Sequence, residues 1–334
     1  MAILSAEKVW DLNKEELLNL LDSKVLMLNH RDVRFYAPSF TYYKTRYYCS
    51  SPNLFPTFSV TGTSCALNCK HCGGKVLSTM HSADSADKLF SLCSKLKQNG
   101  ALGCLISGGC LPDGLVPLKQ FASTIEKIKR ELDLTVFVHS GVIDEETAVL
   151  LKTAGVDAAL IDVIGSQETI RSVYNLDIDV SDYADSLKAL NSAGLRFVPH
   201  VIVGLNEGKL DGELDALRMI KPTAPSAIVI IAFMPIRGTV MEKIQPPKPA
   251  DIAKVAATAR LMFPQTPLVL GCMRPKGKIR VETDILALKA GVDAIAFPSE
   301  EAVNYAQAQG CKVSFSSYCC AQIFMDFGCR SASK

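Results

Sequence analysis

A chain of alternating strands and helices, closing its parallel strands into a (β/α)8 barrel of the TIM type, is the fold that three observations predict. Short apolar, β-rich runs alternate with longer helical runs along most of the sequence. The strand-like runs lack clean polar alternation, as strands covered on both faces do. Several run directly into glycine-rich or polar turns, the carboxyl-end position at which barrels carry their sites. A partial, open (β/α)6 barrel is the alternative architecture.

Residues 1–54 read as an N-terminal extension. Val9, Leu12, Leu17, Leu18, Leu21, Val25 and Leu28 recur at helical spacings, with Glu15 and Glu16 near the start, and predict two short amphipathic helices. From Arg34 to Ser50 the run RFYAPSFTYYKTRYYCS predicts a packed aromatic arm over a barrel end, with Cys49 at its close. Residues 55–310 read as the barrel. Its strands are expected at Phe55 to Val60, Gly103 to Ser107, Leu134 to His139, Ala158 to Val163, Arg196 to Val203, Ala227 to Phe233, Leu268 to Cys272 and Asp293 to Phe297. Helices are expected between them, including Ala86 to Lys97, Leu118 to Glu131, Glu145 to Ala154, Ser181 to Ala193, Leu210 to Ile220, Pro249 to Met262 and Thr283 to Ala290. Residues 311–334 form a cysteine-rich tail.

The 334 residues accommodate one barrel of about 250 residues with additions. With 21% charged residues and a net charge of +2, nothing marks a nucleic-acid surface or an acidic tail. No run approaches the ~18 apolar residues of a membrane span, and the N-terminus lacks an export signal. A cytoplasmic protein is expected. Twelve cysteines in such a chain speak for reduced thiols and metal ligation rather than a disulfide framework.

The sharpest chemical signal is FSVTGTSCALNCKHCGG, where Cys65, Cys69 and Cys72 stand in C-x3-C-x2-C spacing on the loop after the first barrel strand. Structural zinc takes four closed ligands, and His71 is awkwardly placed to be the fourth. Three thiolates suit an iron–sulfur cluster with one iron open to a small molecule. Three packed cysteines or an adventitious zinc site are the plainer alternatives.

This pattern resembles the signature of the radical S-adenosylmethionine superfamily. The resemblance implies a [4Fe–4S] cluster on Cys65, Cys69 and Cys72, S-adenosylmethionine on its open iron, and reductive cleavage to a deoxyadenosyl radical that abstracts hydrogen from carbon. His71 stands where the family usually has an aromatic residue packed on adenine. The strand-end segment Ser107-Gly108-Gly109-Cys110 resembles the glycine-rich element that holds the cofactor's amino group, with Cys110 where an acidic residue is common. His200, Ile202, Gly204 and Glu207 resemble the G-x-I-x-G-x-x-E element, and FMPIRGT, which contains Arg237, resembles a segment near the adenosyl group in biotin-synthase-like enzymes. His139, Ser140 and Asp162 are the polar residues at two further strand ends. Arg171 is a candidate partner for the cofactor carboxylate, or equally half of a surface salt bridge. Arg274 and Arg280, after the seventh strand, are expected at the barrel mouth, facing a carboxylate, a phosphate or merely Asp284.

The tail places Cys311, Cys319, Cys320 and Cys329 within nineteen residues, CKVSFSSYCCAQIFMDFGC. With Cys49 it offers enough thiolates for an auxiliary [4Fe–4S] cluster. FSSY within it is similar to the R-S-S-Y element near the end of lipoyl synthases, in which a serine ligates a sacrificial cluster, so Ser316 or Ser317 joins the candidate ligands. GTSCALNCKHCGGKVL, SGGCLPDG, GCMRPKG and this tail together resemble the two-component lipoyl synthase family. That resemblance implies sulfur insertion at C6 or C8 of an octanoyl chain on a lipoyl-carrier protein or peptide, a second component and a low-potential electron donor. The alternatives are a biotin-synthase-like enzyme acting on a free small molecule and, in another class, a non-catalytic metal-binding protein.

Overall fold

The computed structural model describes residues 4–27, 32–51 and 53–328. All eight expected strands are present within one parallel sheet of eleven: β1 (Asp32–Tyr36), β2 (Thr57–Ser59), β3 (His81–Ser82), β4 (Gly103–Ser107), β5 (Thr135–His139), β6 (Ala158–Asp162), β7 (Phe197–Val203), β8 (Ile228–Ala232), β9 (Leu268–Leu270), β10 (Ala294–Ala296) and β11 (Lys312–Ser316). Their order is β11-β1-β10-β9-β8-β7-β6-β5-β4-β2-β3. The α/β barrel class therefore holds. The sheet is curled but open between β3 and β11, with no ladder joining those edges among the described residues.

Each face of the sheet has its own core. On the outer face Ile106, Val136, Ile161, Val201, Ile230 and Leu270 pack against helical Leu89, Ile125, Leu151, Leu187, Leu217 and Val255. On the inner face Phe137, Leu160, Val198, Val229, Val269, Ala294 and Tyr36 pack together with Cys320, Ala321 and Ile323 of the tail. The tail thus fills the interior of the curl, and Tyr318 and Phe324 stack on Phe55 and Phe137.

Two segments depart from expectation. Asp32–Tyr36, inside the supposed aromatic arm, is a sheet strand between β10 and β11. Its polar look has a tertiary cause: Tyr36 Oη donates to Asp326 Oδ2 at 2.5 Å, and Arg34 Nη1 lies 3.1 Å from the same oxygen. Lys312–Ser316, read as the start of the tail, is the edge strand beside it.

The N-terminal helices are Ala6–Asp11 and Lys14–Asp22. Asn13 and Glu16 form a reciprocal capping box on the second. Both lie on the helix Pro249–Met262, whose Lys254 Nζ donates to the carbonyls of Trp10 and Leu12 at 2.7 and 2.6 Å. That cover lets Pro249–Met262 be alanine-rich and buried nearly all round. No described helix is long and apolar enough to cross a membrane.

Candidate active site

The loop after β2 carries the three thiols, and the ends of neighbouring elements fix its backbone. Gly109 N donates to Thr61 Oγ1 at 2.7 Å, and Ala66 N donates to the Cys110 carbonyl at 2.8 Å. Lys70 N donates to the Val173 carbonyl at 2.8 Å, and Asn175 Nδ2 reaches the carbonyls of Leu67 and Asn68, both at 3.1 Å. Gly109 is obligatory: a Cβ there would stand 2.0 Å from Ser64 O and 2.6 Å from Cys65 Cα.

Four sulfurs gather on this frame. Cys110 lies beside Cys65 and Cys69 beside Cys72, while the Cys69 thiol donates to the Tyr174 carbonyl at 3.5 Å. The neighbouring Cys110 pulls Cys65 down to about 5, and the neighbouring Cys69, aided by His71, pulls Cys72 to about 4. Their partners are pushed the other way, Cys110 by the neighbouring Cys65 and Cys69 by the neighbouring Cys72, both with burial added. Thiolates form easily here, which is what a soft metal centre requires of its ligands. His71 packs on the Tyr174 ring at 5.1 Å, leaving its Nδ1 and the Tyr174 hydroxyl buried without partners.

The adjacent strand ends bring up the next layer. His139, Asp162 and His200 close β5, β6 and the middle of β7 on the inner face, two residues beyond Phe137, Leu160 and Val198. Register sets Asp162 opposite His200 and His139 opposite Leu160. His139 Nε2 lies 3.4 Å from Asp162 Oδ1, and the two imidazoles are 5.5 Å apart. Burial pulls the His139 imidazole down, but the Asp162 carboxylate outweighs it and leaves it raised; Asp162 is correspondingly held low. Burial takes His200 down to about 4, with Nδ1 unpartnered. The trio combines an acid, a base and an ion pair, with His200 buried and His139 and Asp162 half-buried.

A second thiol set lies near the trio. Cys319 and Cys320 adjoin in the chain, and the field of Cys272, just after β9, reaches both of them. The charge of His139 reaches Cys319 and that of Asp162 reaches Cys110, so the trio lies near members of both thiol groups. Cys272 was not singled out in the sequence, although it closes an expected strand, the position that should have drawn attention.

Other expected residues lie elsewhere or are engaged by protein. Ser107 Oγ donates to the His139 carbonyl at 3.1 Å, and buried Ser140 bonds the Gly141 carbonyl at 2.9 Å, so both brace strand ends. Gly108 has Val60 and Thr61 within 3.2 Å of a would-be Cβ. Gly204, at φ +74, donates to Glu213 Oε1 at 2.8 Å. Arg171 is exposed and pairs with Asp179 at 3.8 Å, the surface salt bridge rather than the cofactor contact, because its helix turns that face to solvent. Arg237 is exposed on its loop. Cys49 is exposed and bridges backbone to Lys44, while Ser317 is taken by the Tyr48 hydroxyl at 2.6 Å. Arg274 is fully buried, paired to Asp284 at 2.8 Å and bonded to the carbonyls of Gly271, Ala296 and Phe297, a strut rather than a mouth residue. Arg280 Nη2 bonds the Arg274 carbonyl at 3.3 Å. Cys329 lies outside the described residues.

A curled parallel barrel with a three-thiol loop at the carboxyl end of its strands and polar residues converging beneath it defines an enzyme built around a soft-metal centre. Residues 59–218, just under half of the chain, match the Radical SAM superfamily. The chain is 25% identical to biotin synthase of Prochlorococcus marinus (strain MIT 9312) over 301 residues, covering 87% of this chain and 85% of that one. It is 28% identical to biotin synthase of Zymomonas mobilis over 252 residues, 72% of each. Methylornithine synthase superposes with a TM-score of 0.64 at 15% identity, covering 97% of this chain and 95% of that one. The FeFe-hydrogenase maturase of Carboxydothermus hydrogenoformans superposes at 0.62 and 16%, covering 93% and 75%. Among the described residues, only His139, Asp162 and His200 bring three ligand atoms within 4.8 Å of one another, so the thiols do not form a ready zinc site; the superfamily match implies a [4Fe–4S] cluster and S-adenosylmethionine.

Proposed function

We propose that this radical SAM enzyme inserts sulfur into an octanoyl chain on a lipoyl-carrier protein or peptide, as one component of a two-protein lipoyl synthase. The observation that carries the reading is the pair of thiol sets near His139, Asp162 and His200 in one barrel interior. Cys65, Cys69 and Cys72 would hold the radical SAM cluster, and Cys272, Cys319 and Cys320 supply thiolates for an auxiliary cluster as sulfur donor. Bound to the first set together with S-adenosylmethionine, the cluster supplies the electron that generates the hydrogen-abstracting radical.

The chain's own residues do the rest. The loop fixes the thiolates before any ligand arrives, so ordering them on binding costs little. Asp162 and His139 hold a charge pair where substrate and cofactor meet, and uncharged His200 offers an acceptor nitrogen. The apolar wall of Phe137, Leu160 and Val198 excludes water from the reacting carbon. A low-potential reductant and the second component are the partners this chemistry needs. All eleven described cysteines are free thiols, which suits the reducing cytoplasm.

The test is an anaerobic incubation of this protein together with the second component, an octanoyl-lysyl peptide, S-adenosylmethionine and reductant, read by mass spectrometry. A peptide gaining sulfur supports the proposal; S-adenosylmethionine cleaved with the peptide unchanged overturns it. The biotin synthase likeness over most of the chain favours a second reading, sulfur insertion into a free biotin precursor. Product from that precursor and none from the peptide would establish it.

A further inference from the structure

We infer that His139, Asp162 and His200 form a mononuclear site for a borderline divalent cation of the zinc type, bound by two imidazoles and one carboxylate and separate from the thiol sets. The ligand atoms of the three side chains all lie within 4.8 Å of one another, the one such trio among the described residues. His139 Nε2 and Asp162 Oδ1 are 3.4 Å apart. Bonds of about 2.0 to 2.2 Å to a tetrahedral ion set neighbouring ligand atoms about 3.3 to 3.6 Å apart, so this edge already has the length that a bound ion demands. A nitrogen of His200 supplies the third corner.

Two of the three side chains also carry a buried atom that nothing in the protein satisfies. Asp162 Oδ1 accepts no hydrogen bond, even from His139 beside it, and His200 Nδ1 is likewise without a partner in a side chain only 8% exposed. Buried polar atoms are nearly always paired, and a cation met by lone pairs removes the deficit. The sheet holds the trio in place before any ion arrives. Asp162 and His200 are direct partners in the β6 and β7 ladder, Val163 N donates to the His200 carbonyl at 2.9 Å, and Ser107 Oγ donates to the His139 carbonyl at 3.1 Å. Ordering the ligands on binding therefore costs little.

The donor set selects the ion. Two imidazoles and a carboxylate suit zinc and its neighbours, whereas magnesium and calcium take shells of oxygen. Three protein ligands leave a tetrahedral ion one open position. His139 and Asp162 remain 27% and 29% exposed, which leaves room there for a carbonyl or carboxylate oxygen of the substrate. Binding involves no redox change: the ion takes lone pairs from two neutral imidazoles and one carboxylate, and a proton on a ligating nitrogen passes to solvent.

The test uses the full chain with its iron–sulfur content rebuilt anaerobically, treated with excess zinc, freed of unbound metal by gel filtration and read by zinc content and zinc K-edge X-ray absorption. Wild type is expected to hold one zinc per chain more than Asp162→Asn or His200→Gln, and the difference spectrum to show nitrogen and oxygen neighbours at about 2.0 to 2.2 Å. Equal zinc in wild type and variants overturns the inference, as does a difference made of sulfur neighbours at about 2.3 Å. If His200→Gln does not fold, Asp162→Asn, which keeps the native shape and removes the charge, decides alone. Failure of the cluster reading looks different: empty thiols then take zinc through sulfur equally in wild type and variants, and the difference between them is unaffected.

Discussion

His139 Nε2 lies 3.4 Å from Asp162 Oδ1, and this contact joins the third and fourth expected barrel strands near members of both thiol sets. The carboxylate holds the imidazolium, and the imidazolium holds the carboxylate. Asp162→Asn is expected to return the His139 pKa downward, since burial alone lowers it. Imidazole proton chemical shifts followed against pH check this, and an unchanged titration refutes the pairing.

Stability against pH follows from the same trio. His200 falls from 6.5 to about 4 in the fold, so the unfolded chain takes up its proton first, and its contribution, intact above 6.5, is lost as pH drops towards 4. Asp162, also held low, loses its contribution at still lower pH, as pH falls through its folded value. His139 runs the opposite way: its contribution is present below 6.5 and disappears as pH rises through its raised folded value. His200→Gln should flatten the acid limb by on the order of 2 to 3 kcal/mol, since a tenfold change in proton affinity is worth about 1.4 kcal/mol. Urea midpoints between neutral and acid pH measure it.

Cys69→Ala should abolish S-adenosylmethionine cleavage while far-ultraviolet circular dichroism stays that of wild type, because the loop lies outside the sheet. Retained cleavage would sink the ligand assignment. Cys320→Ala and Cys272→Ala should instead spare cleavage and stop sulfur insertion, and exposed Cys49→Ala should change neither. Loss of cleavage along with insertion in the tail variants would make those cysteines structural.

Gly109→Ala puts a Cβ 2.0 Å from Ser64 O. The loop must move, at a cost of about 1 to 3 kcal/mol for an overpacked site. Iron bound per chain after anaerobic reconstitution should fall with it.

Arg274→Met leaves Asp284 buried and unpaired in a site of zero exposure. Removing one partner of a buried pair costs about 3 to 5 kcal/mol. Thermal unfolding should show the loss, and the Arg274→Met/Asp284→Leu double variant should recover part of it.

The chain's own order of apolar runs determined the eight expected strands, and the cysteine spacing determined the metal loop, since strand burial and ligand reach are properties of a few consecutive residues. The strand-end rule likewise brought His139, Asp162 and His200 forward, although nothing in the sequence says that they meet. Asp32–Tyr36 stayed hidden because Arg34 and Tyr36 look polar until Asp326, some 290 residues away, is folded against them. Arg171 and Arg274 could not be settled for the same reason: a charge near a strand end turns outward or inward according to its partner, here Asp179 on the surface and Asp284 in the core. Only the tertiary structure decided that the tail enters the barrel, that Cys272 rather than Cys49 accompanies Cys319 and Cys320, and that Cys110 lies against Cys65. Such pairings depend on the curl of the sheet, which brings distant strand ends within hydrogen-bond reach and which no local pattern records.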